Sequence, residues 1–118
     1  MATTPEGKVK ARIKRILGEA GAYYFMPATH GYGSSGHPDI VACLNGQFIG
    51  IECKANGGKP TELQLKRLRE LSSCGGVAVL VDETGVEDFK KHLDKGLING
   101  VFITLLRGKY AEEGVGVS

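Results

Sequence analysis

The sequence predicts an α/β fold in which a helix, three strands, a second helix and a further strand follow one another, with a hairpin at the centre. The strongest observation is an Asn45-Gly46 pair between two apolar, β-branched runs, because both residues tolerate the positive φ of a two-residue type I′ hairpin turn. Segments with helical periodicity and capping residues lie before and after this hairpin. A continuous apolar run at 77–81 follows the second helical segment, and such a run is typical of a buried central strand.

The length and composition favour one globular domain over residues 1–118, with a core at about 5–106. The chain has 15 basic and 13 acidic residues, so its net charge is only +2. Any binding of a polyanion must therefore depend on local clusters of basic residues and not on the charge of the whole protein. The sequence contains no apolar run of the roughly 20 residues needed to span a membrane and no signal-peptide core. We therefore expect a soluble, cytoplasmic protein of a bacterium or phage-infected host cell, without membrane contact.

The three cysteines form no C-x-x-C pair. The hairpin register places Cys43 and Cys53 on opposite faces, where they cannot form a disulfide. We expect buried free thiols in a reducing compartment.

The first helix is predicted from Thr4 as N-cap and Pro5 at the first helical position, and it continues to about Ala20. Its apolar stripe consists of Val9, Ile13, Ile16, Leu17 and Ala20. Glu6 projects toward the same side as this stripe, which aims its carboxylate inward. An acid of the first turn favoured by the helix dipole explains Glu6 equally well.

Residues 23–26 form a short aromatic strand that Pro27 closes, and a glycine-rich stretch at 28–36 follows. This stretch has no helical or strand periodicity and does not match a phosphate-binding P-loop. It is either a substrate-facing loop or a flexible connector.

The hairpin brings two acidic side chains together. If Leu44 faces Gln47 across the turn, Asp39 lies directly opposite Glu52, and Lys54 shares the face of Glu52. Directly opposed side chains lie about 4.5–5.5 Å apart at Cβ, so two carboxylates there repel each other unless a cation neutralises them. A hard divalent cation such as Mg²⁺ suits this position, and an exposed strand end with a Glu-Lys pair is the alternative.

The second helix begins with Thr61 as N-cap and Gln64 completing a capping box, and it ends at about Ser73. Gln64 also heads an inward stripe with Leu68 and Leu71. Its presence is explained either by capping alone or by a position facing the acidic pair.

The remaining elements follow from the same signals. A capping box at 84–87 predicts a third helix with an apolar stripe of Val86, Phe89 and Leu93. Residues 101–106 form the last predicted strand, and 107–118 are expected to be a loosely ordered tail.

These residues resemble a known pattern. Pro38-Asp39, Glu52-Cys53-Lys54, Glu6 on the first helix and Gln64 on the next are similar, in order and spacing, to the PD-(D/E)xK nuclease superfamily. The variant resembles the VRR-NUC family, whose stand-alone members occur in phages and bacteria. The resemblance covers about residues 6–82 and implies a restriction-endonuclease-like αβββαβ core, with a central mixed β-sheet flanked by helices.

The resemblance also implies a metal site. Asp39 and Glu52 would bind Mg²⁺ or Mn²⁺ together with the backbone carbonyl of Cys53, and Glu6 would be a further carboxylate of the site. A second metal ion depends on Glu6.

Two other residues take catalytic roles by the same resemblance. Lys54 would position or polarise the attacking water and stabilise developing charge, and Gln64 would orient Lys54 or the water.

For nucleic-acid binding, basic helical faces are candidates, although such faces are more often merely solvated. The residues are Lys8, Lys10, Arg12, Lys14, Arg15, Lys66, Arg67 and Arg69.

The resemblance implies a metal-dependent, structure-selective DNA endonuclease with a role in DNA repair. Such an enzyme would act as a homodimer on branched DNA such as Holliday junctions. A restriction-like, flap or nicking nuclease on the same fold is the first alternative. A non-catalytic nucleic-acid-binding domain is the second, and a domain that binds a small anion at residues 31–36 is the third.

Overall fold

The computed structural model describes residues 3–28 and 35–114. Its strands form one six-stranded mixed sheet in chain order, β1-β2-β3-β4-β5-β6. The pairs β1–β2, β2–β3 and β5–β6 are antiparallel, whereas β3–β4 and β4–β5 are parallel. The strands are β1 Tyr23–Phe25, β2 Ile40–Leu44, β3 Gln47–Cys53, β4 Val77–Val81, β5 Val101–Leu106 and β6 Lys109–Gly114.

In the part of the chain that the structure describes, three helices complete the predicted α/β architecture: α1 Pro5–Glu19, α2 Glu62–Ser73 and α3 Val86–Lys95. Helix α1 begins as predicted, with the Thr4 hydroxyl accepting a hydrogen bond from the Gly7 N–H at 2.9 Å. Helix α2 has the complete predicted capping box between Thr61 and Gln64. Within the described residues, no helix is both long and apolar enough to cross a membrane.

The sheet separates two apolar layers, because alternate residues of each strand point to opposite faces. On one face, α1 and α3 bury Val9, Ile13, Leu17, Val86 and Phe89 against the strands. On the other face, Leu68 of α2 packs against Ala78 and Leu80 of β4. The site described below takes side chains from the first turn of α1 in one layer and from the first turn of α2 in the other.

The end of the sheet differs from the sequence-based prediction. Residues 109–114 were expected in a loose tail, but they form β6, an exposed edge strand paired with β5 along its whole length. Apart from Tyr110 and Ala111, the segment consists of charged residues and glycine, and all six residues are exposed. Because no apolar alternation marks it as a strand, its structure is determined by the backbone pairing with β5.

The predicted capping box of the third helix is wrong. Gly85 is the N-cap of α3 and makes no side-chain capping bond. The Thr84 hydroxyl instead donates to Asp82 Oδ1 at 2.6 Å, and the Thr84 N–H donates to the same oxygen at 2.9 Å. Asp82, buried at the end of β4, therefore takes the hydroxyl that would have capped the helix.

The three cysteines are free, as predicted, but only Cys53 is buried. Cys43 and Cys74 are exposed, which corrects the expectation of buried thiols. Ala20, predicted on the apolar stripe of α1, is also exposed, because it is the C-cap residue and lies beyond the packed turns. Of the predicted loop at 28–36, residues 29–34 lie outside the described residues.

Candidate active site

The hairpin has the register that the Asn45-Gly46 turn predicts. Leu44 pairs with Gln47, and the ladder ends with Ile40 opposite Ile51. The same register, continued by one residue beyond the ladder, places Asp39 opposite Glu52. Asn45 has φ 51° and Gly46 has φ 79°, as a type I′ turn requires. The turn chemistry thus places two carboxylates at the same end of the sheet.

Asp39 is fixed by the strand opposite it. Its Oδ2 accepts a hydrogen bond from the backbone N–H of Cys53 at 2.8 Å. The Cys53 side chain points into the core. Burial is the main cause that raises the pKa of its thiol, and the negative charge of Asp39 is the second cause. This orientation agrees with the prediction that Cys53 offers only its backbone to the site, and its carbonyl as a metal ligand stays a prediction.

Glu6 joins the hairpin acids from the first turn of α1. Ligand oxygens of Glu6, Asp39 and Glu52 all lie within 4.8 Å of one another. Helix α1 packs on the face of the sheet that holds the Cys53 side chain, opposite the face of Glu52, and the first turn of the helix still places Glu6 next to the other two carboxylates. The structure thereby favours the inward-directed interpretation of Glu6 over a solvated first-turn acid.

Glu52 is the most deeply buried of the three acids, with 1% of the residue exposed. Its Oε1 is buried without a hydrogen-bond partner among the described residues. Burial, together with the Asp39 charge and in spite of Lys54, raises the pKa of Glu52 to about 8. A buried carboxylate oxygen without a donor is costly to maintain, and a metal ion would satisfy it.

Gln64 has two roles in the structure. Its Oε1 accepts a hydrogen bond from the Thr61 N–H at 2.9 Å, which completes the capping box. Its Nε2 donates to Glu52 Oε2 at 3.0 Å. The two explanations left open by the sequence are therefore both correct, and the start of α2 is joined directly to the acidic site through Glu52.

Two ammonium groups accompany the acids. Lys54 Nζ lies 3.5 Å from Glu52 Oε2, and 12% of its side chain is exposed. Lys10 Nζ lies 3.6 Å from Asp39 Oδ1, and 33% of its side chain is exposed. The sequence pattern predicts Lys10 only on a basic helical face. Its position one helical turn after Glu6 is the signal that could have placed it at the site.

The predicted nucleic-acid-binding residues are spread over two helices. Arg12 donates to the Glu83 carbonyl at 3.3 Å and lies 3.7 Å from Glu87. Arg67 donates to the Ser35 carbonyl at 3.1 Å and pairs with Glu70. The side chains of Lys8, Arg15 and Lys66 are exposed. The two arginines are thus held by protein partners, while these three residues are accessible to a ligand.

The donor set fits a hard divalent cation. Glu6, Asp39 and Glu52 offer the carboxylate oxygens that Mg²⁺ and Mn²⁺ prefer. In the part of the chain that the structure describes, Oε1 of Glu52 has no hydrogen-bond partner, which leaves a buried acceptor available to an ion. Among the described residues, this is the group of acids, cysteines and histidines close enough together to hold a metal ion.

Comparisons with known proteins found chains that are similar to this one. The chain is 43% identical over 78 residues to "Putative nuclease p44" of Acyrthosiphon pisum secondary endosymbiont phage 1, covering 65% of this chain and 77% of the relative. A solved structure described as "VRR_NUC domain" superposes with a TM-score of 0.66 at 23% identity, covering 80% of this chain and 99% of that one. No model of a known protein family matches the sequence.

Proposed function

We propose that this chain, which belongs to the VRR-NUC family of PD-(D/E)xK nucleases, is a metal-dependent endonuclease that hydrolyses phosphodiester bonds in DNA. The observation that carries the proposal is the meeting of Glu6, Asp39 and Glu52 within 4.8 Å, beside the Lys54 ammonium. A domain that only binds nucleic acid has no need for a buried carboxylate whose Oε1 finds no hydrogen-bond partner in residues 3–28 and 35–114.

The carboxylates would hold Mg²⁺ or Mn²⁺ together with the Cys53 carbonyl. When bound, such an ion supplies Lewis-acid polarisation of a phosphoryl oxygen and a lowered pKa of coordinated water. Asp39 is held in place for this purpose by the Cys53 N–H. Glu52 is held by Gln64. Both acids are thus oriented before a ligand arrives.

Lys54 would carry the chemistry that the chain itself contributes. Its ammonium lies against Glu52 Oε2 and is largely enclosed, so it presents a fixed positive charge beside the acids. In that position, it would orient the attacking water by hydrogen bonding and stabilise the negative charge that develops on the phosphoryl oxygens. Gln64 would act on the reaction through Glu52, as a positioning residue.

For the substrate, we propose branched DNA, including four-way junctions, cut by a homodimer in a DNA-repair context. One site per chain cuts one strand, so symmetric cleavage of a junction requires two copies. Accessible cations on α1 and α2, Lys8, Arg15 and Lys66, would contact phosphates without reading bases. Restriction-like, flap and nicking activities are the alternatives on the same site.

The decisive experiment is cleavage of end-labelled duplex, nicked, flap and four-way-junction DNA with Mg²⁺ or Mn²⁺. The wild type should cut the junction in symmetric positions, and Asp39→Ala should not cut. Equal cutting by both proteins would refute the proposed site. A dimer in sedimentation is expected, and a fully active monomer would refute the homodimer alone.

A further inference from the structure

Lys10 is the member of the acidic site that the proposed chemistry leaves without a role. It lies on α1 four residues after Glu6, so both side chains project from the same face of the helix. Its Nζ lies 3.6 Å from Asp39 Oδ1, a distance close to the 3.5 Å that separates Lys54 from Glu52. Each hairpin acid therefore has its own ammonium group.

The two lysines differ in their exposure to solvent. The Lys54 side chain is 12% exposed. The residue directly follows β3, and its backbone N–H donates to the Val81 carbonyl at 2.9 Å, so its backbone is fixed by the sheet. Lys10 is 33% exposed, and it approaches Asp39 from a neighbouring helix by a long, flexible side chain. Its charge can therefore move to the solvent side of the site without any change in the backbone.

The charges near the Lys10 ammonium determine when its movement toward solvent is favourable. In the metal-free protein, the Lys10 ammonium offsets part of the repulsion among three clustered carboxylates. A divalent cation held by the same carboxylates would repel an ammonium only a few ångströms away. The phosphates of bound DNA would attract it at the same time.

We infer that Lys10 is a phosphate-binding residue of the active site, which pairs with Asp39 in the metal-free protein and contacts a DNA backbone phosphate once metal is bound. This inference rests on the proposed function. It predicts opposite effects on two measurements, since the same charge opposes metal binding and favours DNA binding.

The test uses the full chain with Lys10→Gln, Lys10→Arg and the control Lys91→Gln, which removes one positive charge from an exposed position on α3. In calorimetric titration with Mn²⁺ alone, Lys10→Gln should bind the metal roughly three- to tenfold more tightly. At saturating Mn²⁺, the KM of this variant for DNA should rise about tenfold, because one charge-assisted phosphate contact is lost. Lys10→Arg should retain most of the DNA affinity, and Lys91→Gln should match the wild type in both assays.

The contrary outcomes are distinct. Weaker Mn²⁺ binding together with weaker DNA binding in Lys10→Gln would make the ion pair merely structural and overturn the inference. Tighter Mn²⁺ binding with an unchanged KM would overturn the phosphate contact. A wild type that cuts no DNA would refute the proposed function, and the DNA affinity measured by anisotropy in Mn²⁺ would then decide the role of Lys10.

Discussion

Replacing Glu52 by Gln should stabilise the metal-free protein at alkaline pH while abolishing its activity. The folded protein raises the pKa of Glu52 from 4.5 to about 8, so the folded state binds the proton more tightly than the unfolded chain does. Stability should therefore fall as the pH rises from 4.5 through 8, and the full cost of the buried charge is present above pH 8. Glutamine has the same shape and carries no charge.

The size of the effect follows from the shift. One pKa unit corresponds to about 1.4 kcal/mol, so the change from 4.5 to about 8 sets an upper limit of roughly 5 kcal/mol. The new amide NH₂ would occupy the place of Oε1, for which the described residues provide no hydrogen-bond partner. An unpaired buried donor at this position costs about 1–3 kcal/mol. We expect a net gain of roughly 2–4 kcal/mol at pH 9, or a melting temperature higher by roughly 10 °C.

The assay is thermal unfolding of wild type and Glu52→Gln between pH 5 and pH 9 in EDTA, repeated in Mn²⁺. The advantage of the variant should disappear toward pH 5 in EDTA. Saturating Mn²⁺ should raise the stability of the wild type alone, by about 2.7 kcal/mol at a hundred times the Kd. Glu113→Gln, an exposed acid of β6, is the control. A variant no more stable than the wild type at pH 9 would refute the reasoning.

Three further changes test individual contacts. Lys54→Ala should abolish turnover and leave metal-dependent DNA binding largely intact, as measured by single-turnover cleavage and anisotropy. Gln64→Ala should lower the free energy of unfolding in urea by about 1–2 kcal/mol, through the lost cap and the lost bond to Glu52. Gly85→Ala should cost about 2 kcal/mol or more, because the new Cβ would lie 2.2 Å from the Leu105 carbonyl oxygen.

Each of these changes has a contrary result. Loss of metal binding in Lys54→Ala would give that lysine a structural role. Gln64→Glu preserves the capping geometry but places a further acid against Glu52, so full activity in that variant would contradict the positioning role. Gly18→Ala, in α1 with open space around the new Cβ, should stabilise the protein by up to about 1 kcal/mol, which makes it the control for Gly85→Ala.

The central part of the site could be predicted because local rules determine it. The positive φ values at Asn45 and Gly46 fix the hairpin register, and the register places Asp39 opposite Glu52. Side-chain alternation then places Lys54 beside Glu52. None of these steps requires knowledge of a distant part of the chain.

The features that the sequence did not predict depend on contacts between distant segments. Lys10 joins Asp39 only because α1 docks at one end of the sheet. Strand β6 forms by pairing with β5 and has no apolar alternation of its own. Thr84 gives its hydroxyl to Asp82 instead of capping α3, a competition that the sequence motif does not reveal.

The position of the site between the two layers has a consequence for hydrogen exchange. Glu6 belongs to the layer of α1, and Gln64, which holds Glu52, belongs to the layer of α2. A ligand bound to the three acids would therefore connect the first turns of both helices, which otherwise open independently as helix ends do. Amide protons near Gly7 and Gln64 should become protected together as ligand concentration rises, with a common dependence on occupancy. With a ligand bound, the acidic cluster would join two helix termini on opposite faces of the sheet into one cooperative unit of local unfolding.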